Sequence, residues 1–377
     1  MNKFWSSEDV VVQSLGHRID LAAQLRHLAG GTTWPVFGMT HDLVDRDVVE
    51  RLIVYGALGP RKTDAIICAS SAARNLMKHY AEKIHTSGVQ SVSNLQFPIV
   101  AHGVDWASLP RLPKNHAREL LGIDRDTIVF LYLGRLSLRY KADLLGLIEC
   151  FARRFQGKRA VLCLAGGASY SGIDSEVAFI SNKIAQISAD RQIYINLHSN
   201  VSDDLKTLLL SSADIFVSPA NSLQESFGLS LVEAMYYQLP VIATKWSGYT
   251  DIVIDDSTGY LVDTRWRSNS AETSGYRSRF SREALAIEAV SRVLIDWNSF
   301  GARMEELYAD RKRREAFGSE GLDRARKSFS VHAMIKGYSD AWSTALLHKE
   351  HSIMARTFES SLDELAQAVM IYSGRED

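Results

Sequence analysis

From residue 113 onward, short unbroken apolar runs alternate with longer runs of helical spacing. HARELLGI (116–123) and ADLLGLIECFARRF (142–155) place apolar residues three and four apart, and read as helices. TIVFLYLG (127–134), AVLCLAG (160–166) and IYINL (193–197) are continuous apolar runs of strand length. EVAFISNKIAQIS (176–188) and DDLKTLLLSSA (203–213) return to helical spacing. IFVSP (215–219) reads as a strand ending at Pro219, Ser230 to Gln238 as a helix stopped by Pro240, and VIAT (241–244) as the next strand. Strands apolar on both faces, alternating with helices, predict a doubly wound parallel sheet.

The flanking regions are less regular. Val10 to Leu28 has helical spacing and is broken at Gly30–Gly31. WPVFGMT (34–40) and DAIICAS (64–70) read as strands, with a helix from Val44 to Gly56 between them. Ser70 is a candidate N-cap for the helix that follows. FPIVAHGVDW (97–106) leads from one half of the chain to the other. TDIVIDDSTGYLVD (250–263) comes after VIAT, and three helical runs follow at 282–297, 301–327 and 330–349. The expected division is an N-terminal domain at 1–105, a doubly wound domain at 106–345, and a helical tail at 346–377.

At 377 residues the chain is long enough for two domains. Its net charge of −1 gives no basic stripe for nucleic acid. No run approaches the ~18–20 apolar residues of a membrane helix, and MNKFWSSEDVVV has no apolar core of a signal peptide. Cys68, Cys150 and Cys163 lie in apolar runs without metal-binding or redox spacing and read as core thiols in a reducing compartment, so a cytoplasmic location is expected. No His/Cys/Asp cluster has metal-ligand spacing, and no metal or other cofactor is expected. Neither G-x-G-x-x-G nor a P-loop sequence occurs.

The chemistry concentrates in SPANSLQESFGLSLVEAMYYQLPVIATKWSGYT (218–250). Glu225 lies beyond the carboxyl end of a strand, where open parallel sheets bind ligands. The amides of Phe227, Gly228 and Leu229 lead into a helix, and a helix N-terminus is an anion site. Glu233 follows two turns later. This block resembles the Glu-x7-Glu signature of retaining glycosyltransferases of the GT-B fold, in particular family 4. The resemblance covers residues 97–345 and, more loosely, 34–75. It implies an α/β fold of two Rossmann-like domains, the C-terminal one a complete doubly wound sheet. TDIVIDDSTGYLVD (250–263) resembles a hairpin-like passage of the family, and FPIVAHGVDW resembles its entry into the C-terminal domain and comes early in this chain, so the N-terminal domain reads as shortened.

The resemblance also implies roles. Glu225 would hold the sugar hydroxyls and stabilise positive charge at the anomeric carbon, and His41, beyond the 34–40 run, would face the donor sugar. Arg135 and Lys141, in GRLSLRYK (134–141), would bind the donor diphosphate together with the amides at Phe227, Gly228 and Leu229. The Arg-to-Lys step is one residue longer than in the family, so Arg139 could share or replace one role. Glu233 would hold the ribose, and the base would lie against Asn200 and Val201. Gly166 and Gly167 would keep that side of the crevice open, and Gly248 matches a family position near the donor. No general base has a suitable spacing, consistent with a front-face displacement in which the leaving phosphate takes the acceptor proton. The implied partners are a UDP- or GDP-sugar donor and a glycan, lipid or small-molecule acceptor. The basic run DRKRREAF (310–317) reads as a solvated face, with contact to anionic lipid or to an anionic acceptor, peripheral to a membrane, as the alternative. Two other readings stay open: a non-catalytic nucleotide-sugar-binding partner subunit, and a GT-B-fold epimerase that needs no acceptor.

Overall fold

The computed structural model describes residues 10–14, 16, 18–28, 34–40, 46–167, 173–190, 192–267 and 290–348. The chain divides into two compact units, Met1–Ala101 with Met334–Asp377, and His102–Ala333.

In the first unit, β1 (Val12–Gln13), β2 (Val36–Met39) and β3 (Ala65–Ile67) pair in parallel in that order. The helices are α1 (Ile19–Leu28), α2 (Arg46–Ala57) and α3 (Ser71–Thr86). Ser70 caps α3, its hydroxyl accepting from the Ala73 amide at 3.1 Å. The pleat sends alternate side chains to opposite faces. Val36 and Ile66 join Ile19, Leu52, Tyr55 and Met77 in one cluster. Phe37, Ala65 and Ile67 join Val100 and side chains of the C-terminal helix, among them Tyr338 and Trp342, in another.

The single helix expected from Val10 is not what forms. Val12–Gln13 is extended and pairs with β2, and the helix starts only at Ile19. Between them Gly16 sits at φ +100°, and its carbonyl accepts from the Met39 amide at 2.8 Å. A β-branched stretch beside a sheet edge gains a ladder there that a helix would forgo.

Asp64, directly before β3, organises this unit. Its fully buried carboxylate accepts from the Arg26 guanidinium at 2.6 and 2.7 Å, the Tyr55 hydroxyl at 2.9 Å, and the Val36 and Arg61 amides at 3.0 Å each. Burial and Asp64 together push the Tyr55 phenol well above its ordinary range.

The second unit opens with α4 (Lys114–Leu120). Its elements then alternate: β4 (Ile128–Leu133), α5 (Leu144–Phe155), β5 (Ala160–Gly166), α6 (Ile173–Asp190), β6 (Tyr194–Ser199), α7 (Asp203–Ser212), β7 (Ile215–Ser218), α8 (Leu229–Tyr236) and β8 (Val241–Thr244). A helical turn, α9 (Tyr249–Ile252), leads to β9 (Gly259–Val262). The sheet is parallel throughout, in the order β6-β5-β4-β7-β8-β9. The apolar runs are explained by burial on both faces. Phe130, Tyr132, Leu162 and Val217 pack with α5, while Val129, Leu131, Phe216 and Val241 are equally buried on the other side. Cys68, Cys150 and Cys163 are buried and unpaired, with burial pushing their thiols up to about 12, 11 and 12.

The C-terminal part departs from the expected helices. Residues 250–263 form no hairpin, because β9 pairs in parallel with β8. Within the expected 282–297 helix, Val293–Ile295 is a strand, β11, antiparallel to β10 (Thr264–Trp266). The 301–327 run is split at Asp310 into α10 (Trp297–Ala309) and α11 (Arg311–Ser328). Asp310 caps the second of these through the Arg313 amide at 2.9 Å. The last helix, α12 (Val331–Leu347), belongs from Met334 onward to the first unit. The tail beyond residue 348 and residues 268–289 lie outside the described residues.

Candidate functional site

The strand order of the second unit reverses beside β4, which is flanked by β5 and β7. Loops leaving neighbouring strands diverge at such a point and open a crevice at the carboxyl ends. Two backbone contacts fix the facing loops. Ala142 bridges Ala220, and the Asp143 amide donates to the Pro219 carbonyl at 3.0 Å. The β4–α5 loop therefore lies against the β7–α8 loop.

That apposition brings Lys141 and Glu225 together, 84 residues apart in sequence, as an ion pair through Glu225 Oε2. Tyr249 donates to the same oxygen at 3.2 Å and shares a 2.9 Å hydrogen bond with Ser218. No bond to Oε1 is found among the described residues. Glu225 is 7 % exposed. Burial, and then the Glu225 charge, push the phenols of Tyr132 and Tyr249 far above their ordinary range, so both remain donors at any physiological pH. Tyr132 donates to the Arg135 carbonyl at 2.9 Å. The Arg135 side chain is exposed at the end of β4 and has no carboxylate partner among the described residues. Arg139 does not reach this group, since it pairs with Glu176 on α6.

The entrance to α8 is shaped by one glycine. Gly228 sits at φ +128°, and a Cβ there would lie 2.6 Å from the Tyr249 ring. The N-cap of α8 is Gly228 itself, which has no side chain to offer the first amides. Phe227 is buried, with its ring edge-on to His102 (centroids 5.2 Å apart) and near Phe329, while Leu229 is exposed. Two buried oxygens in this segment, Asn221 Oδ1 and Ser230 Oγ, have no hydrogen-bond partner among the described residues. Buried acceptors and donors left unpaired at a strand end are a mark of a site shaped for something other than itself.

Glu233, on α8, pairs with Lys206 of α7 at 2.7 Å. Asn200 follows β6 in the left-handed region at φ 54°, and its amide donates to the Gly166 carbonyl at 2.8 Å. A side chain at Gly166 would run into the Gly134 carbonyl, 1.7 Å from its Cβ, so the ends of β4 and β5 close only over glycine. Gly248 abuts the Ser226–Phe227 backbone in the same way. Arg135, Lys141, Asn200, Val201, Glu225 and the Phe227–Leu229 amides thus lie at the carboxyl ends of β4, β6 and β7. His41 lies outside the described residues. Tyr249, Ser218, Tyr132 and Lys206 were not anticipated. Each acts through a contact distant in sequence or through a hydroxyl inside an apolar run, and neither leaves a local signal.

With this geometry in hand, the comparisons with known proteins are specific. Residues 113–273 match the family model for glycosyl transferases group 1. The chain is 25 % identical over 212 residues to a lipopolysaccharide 1,2-N-acetylglucosaminetransferase of Salmonella typhimurium, covering 55 % of each chain. It is 29 % identical over 187 residues to a D-inositol 3-phosphate glycosyltransferase of Mycobacteroides abscessus, covering 50 % of this chain and 40 % of that protein. The chain therefore spans about half the length of these curated relatives. Among solved structures, sucrose-phosphate synthase of Thermosynechococcus elongatus superimposes with a TM-score of 0.64 at 18 % identity, over 89 % of this chain and 74 % of that one. HepE of Anabaena in complex with UDP gives 0.62 at 17 %, over 91 % and 81 %. The fold is the α/β, GT-B type the sequence implied, with a six-stranded parallel sheet and a smaller three-stranded one. Among the described residues, no group of three or more His, Cys, Asp or Glu side chains is arranged to hold a metal ion, and no helix is long and apolar enough to cross a membrane.

Proposed function

We propose that this chain is a retaining glycosyltransferase of family 4 that moves a sugar from a UDP- or GDP-sugar to a glycan, lipid or small-molecule acceptor. The observation that carries the reading is the Lys141–Glu225 pair at the strand-order reversal, flanked by exposed Arg135 and the glycine-capped start of α8. Departure of a nucleoside diphosphate builds negative charge on its phosphates. Arg135, Lys141 and the amides from Phe227 to Leu229 answer that charge with fixed cations and dipoles, and no resident metal is required of them.

Glu225 faces the other half of the charge separation. Held by Lys141 and Tyr249 through Oε2, it keeps its second oxygen for the sugar and for positive charge at the anomeric carbon. The acceptor hydroxyl attacks from the side the diphosphate leaves, and a departing phosphate oxygen takes its proton. Lys206 orients Glu233, whose two oxygens suit a vicinal diol such as a ribose, with the base against Asn200 and Val201.

The test is calorimetric titration with UDP, GDP and their common sugar conjugates. One nucleotide is expected to bind, and Arg135→Ala and Glu233→Ala should each weaken it by ~1.5–3 kcal/mol, as for lost charged hydrogen bonds. Tight binding unchanged in both variants would sink the assignment.

A further inference from the structure

At the amino ends of the strands, where β4, β7 and β8 begin, the second unit has an open pocket of about 510 Å³. Its wall carries six cations: Arg111, Lys114, Arg118, Arg125, Arg311 and Arg314. Only three carboxylates face them, and each is already engaged. Asp214 accepts from Lys114 and Arg118 at 2.5 Å each and from the Val129 amide at 2.7 Å. Glu315 pairs with Arg311 at 2.7 Å, and Asp126 lies 3.4 Å from Arg159, which is outside the cavity wall.

Three of the cations have no carboxylate partner among the described residues. Arg111 donates to Gln238 at 2.8 Å and stands 5.6 Å from the Tyr236 ring. Arg314 donates to the carbonyls of Leu307 and Tyr308, at the end of α10. Arg125 is exposed. Burial lowers the Lys114 pKa. Asp214 opposes this, but Arg118 and Arg314 add to it, and the net shift is downward. The cavity thus holds more positive charge than its own carboxylates neutralise.

The first turn of α11 points the same way. It is Arg311-Lys312-Arg313-Arg314, with no acid inside the turn. The positive end of the helix dipole lies there, so cations at these positions are electrostatically unfavourable. A solvated face accounts for Lys312, and Arg313 is paired with Glu306, but Arg314 is turned into the cavity.

We infer that this cavity binds a small multiply phosphorylated anion, held by Arg111, Lys114, Arg125 and Arg314. Guanidinium forks match phosphate oxygens two at a time. The volume is that of a small-molecule site, and a concave wall admits a compact anion where a flat bilayer would touch only its rim. The site lies at the amino ends of the strands, away from the crevice at their carboxyl ends, and the inference does not depend on the transferase reading.

Pyrophosphate is the probe, titrated into the full chain by calorimetry. Lys114→Gln with Arg314→Gln should weaken its binding roughly tenfold or more, and Arg125→Gln severalfold. Arg125 is exposed, so that variant keeps the test valid if the double one misfolds. Lys312→Gln and Arg135→Ala should leave this binding event unchanged. Loss of all pyrophosphate binding in Arg135→Ala would assign the anion to the carboxyl ends of the strands and overturn the proposal. Equal weakening by Lys312→Gln would reduce it to general attraction. Binding to phosphatidylglycerol vesicles but not to pyrophosphate, removed by the same cavity variants, would make the region a membrane-facing surface instead.

Discussion

Asp64 in the first unit and Glu225 in the second are both buried carboxylates at the end of a parallel strand, and both bond to a cation and a tyrosine. They differ in which end. Asp64 precedes its strand, and five protein donors on two oxygens leave it nothing to offer a ligand. Asp214, before β7, is filled in the same manner by Lys114, Arg118 and the Val129 amide. Glu225 follows its strand and, among the described residues, bonds through Oε2 alone. Before β3 and β7 the neighbouring elements supply enough donors to saturate a carboxylate. At the carboxyl ends beside a strand-order reversal, the loops part and the carboxylate stays incompletely met. Burial of a charge therefore does not by itself separate structure from chemistry, whereas the count of donors and the end of the strand do.

Isosteric amides sharpen that contrast. Asp64→Asn should destabilise the first unit by ~3–5 kcal/mol in urea unfolding, because Arg26 is left as a buried charge without its partner. Glu225→Gln should cost clearly less stability, since Lys141 borders a crevice that water can enter. It should instead slow sugar transfer by ~10²–10³-fold, measured as nucleotide release from the donor that binds. Equal stability losses in the two variants would erase the distinction between a saturated and an open carboxylate.

The smallest expected effect concerns pH. Burial holds the His198 imidazole, in β6, below its ordinary value of 6.5. Below that value the unfolded chain takes up a proton that the folded imidazole resists. The unfolded state then binds more protons, so stability rises with pH through this window and falls as the solution is acidified. Wild type should lose more melting temperature than His198→Gln between about pH 7.5 and 5.5. Parallel curves would show that His198 is as free as in the unfolded chain.

Much of the second sheet was legible because strands buried on both faces leave unbroken apolar runs, as TIVFLYLG and AVLCLAG do. Val293–Ile295 was missed for the opposite reason. Three residues give no period, and only pairing with Thr264–Trp266 makes them a strand. Val12–Gln13 is a strand on the same terms, through its pairing with β2. In the site, Glu225, Glu233, Arg135 and Lys141 could be named from local spacing and resemblance. That Lys141 grips Glu225 while Arg139 turns to Glu176 could not, since both arginine and lysine sit in one short loop with nothing local to tell them apart.

The sequence by itself determined the succession of strands and helices, the stop at Pro240, the cap at Ser70 and the residue types available for phosphate and diol binding, because those follow from periodicity, backbone sterics and side-chain chemistry within a few residues. The tertiary structure alone decided which charges meet. Asp64 is sealed by Arg26, Glu225 is half-met by Lys141 and Tyr249, and Arg314 is turned into a cavity short of anions. Partners tens of residues apart are chosen by strand order and loop apposition, and no local pattern encodes those.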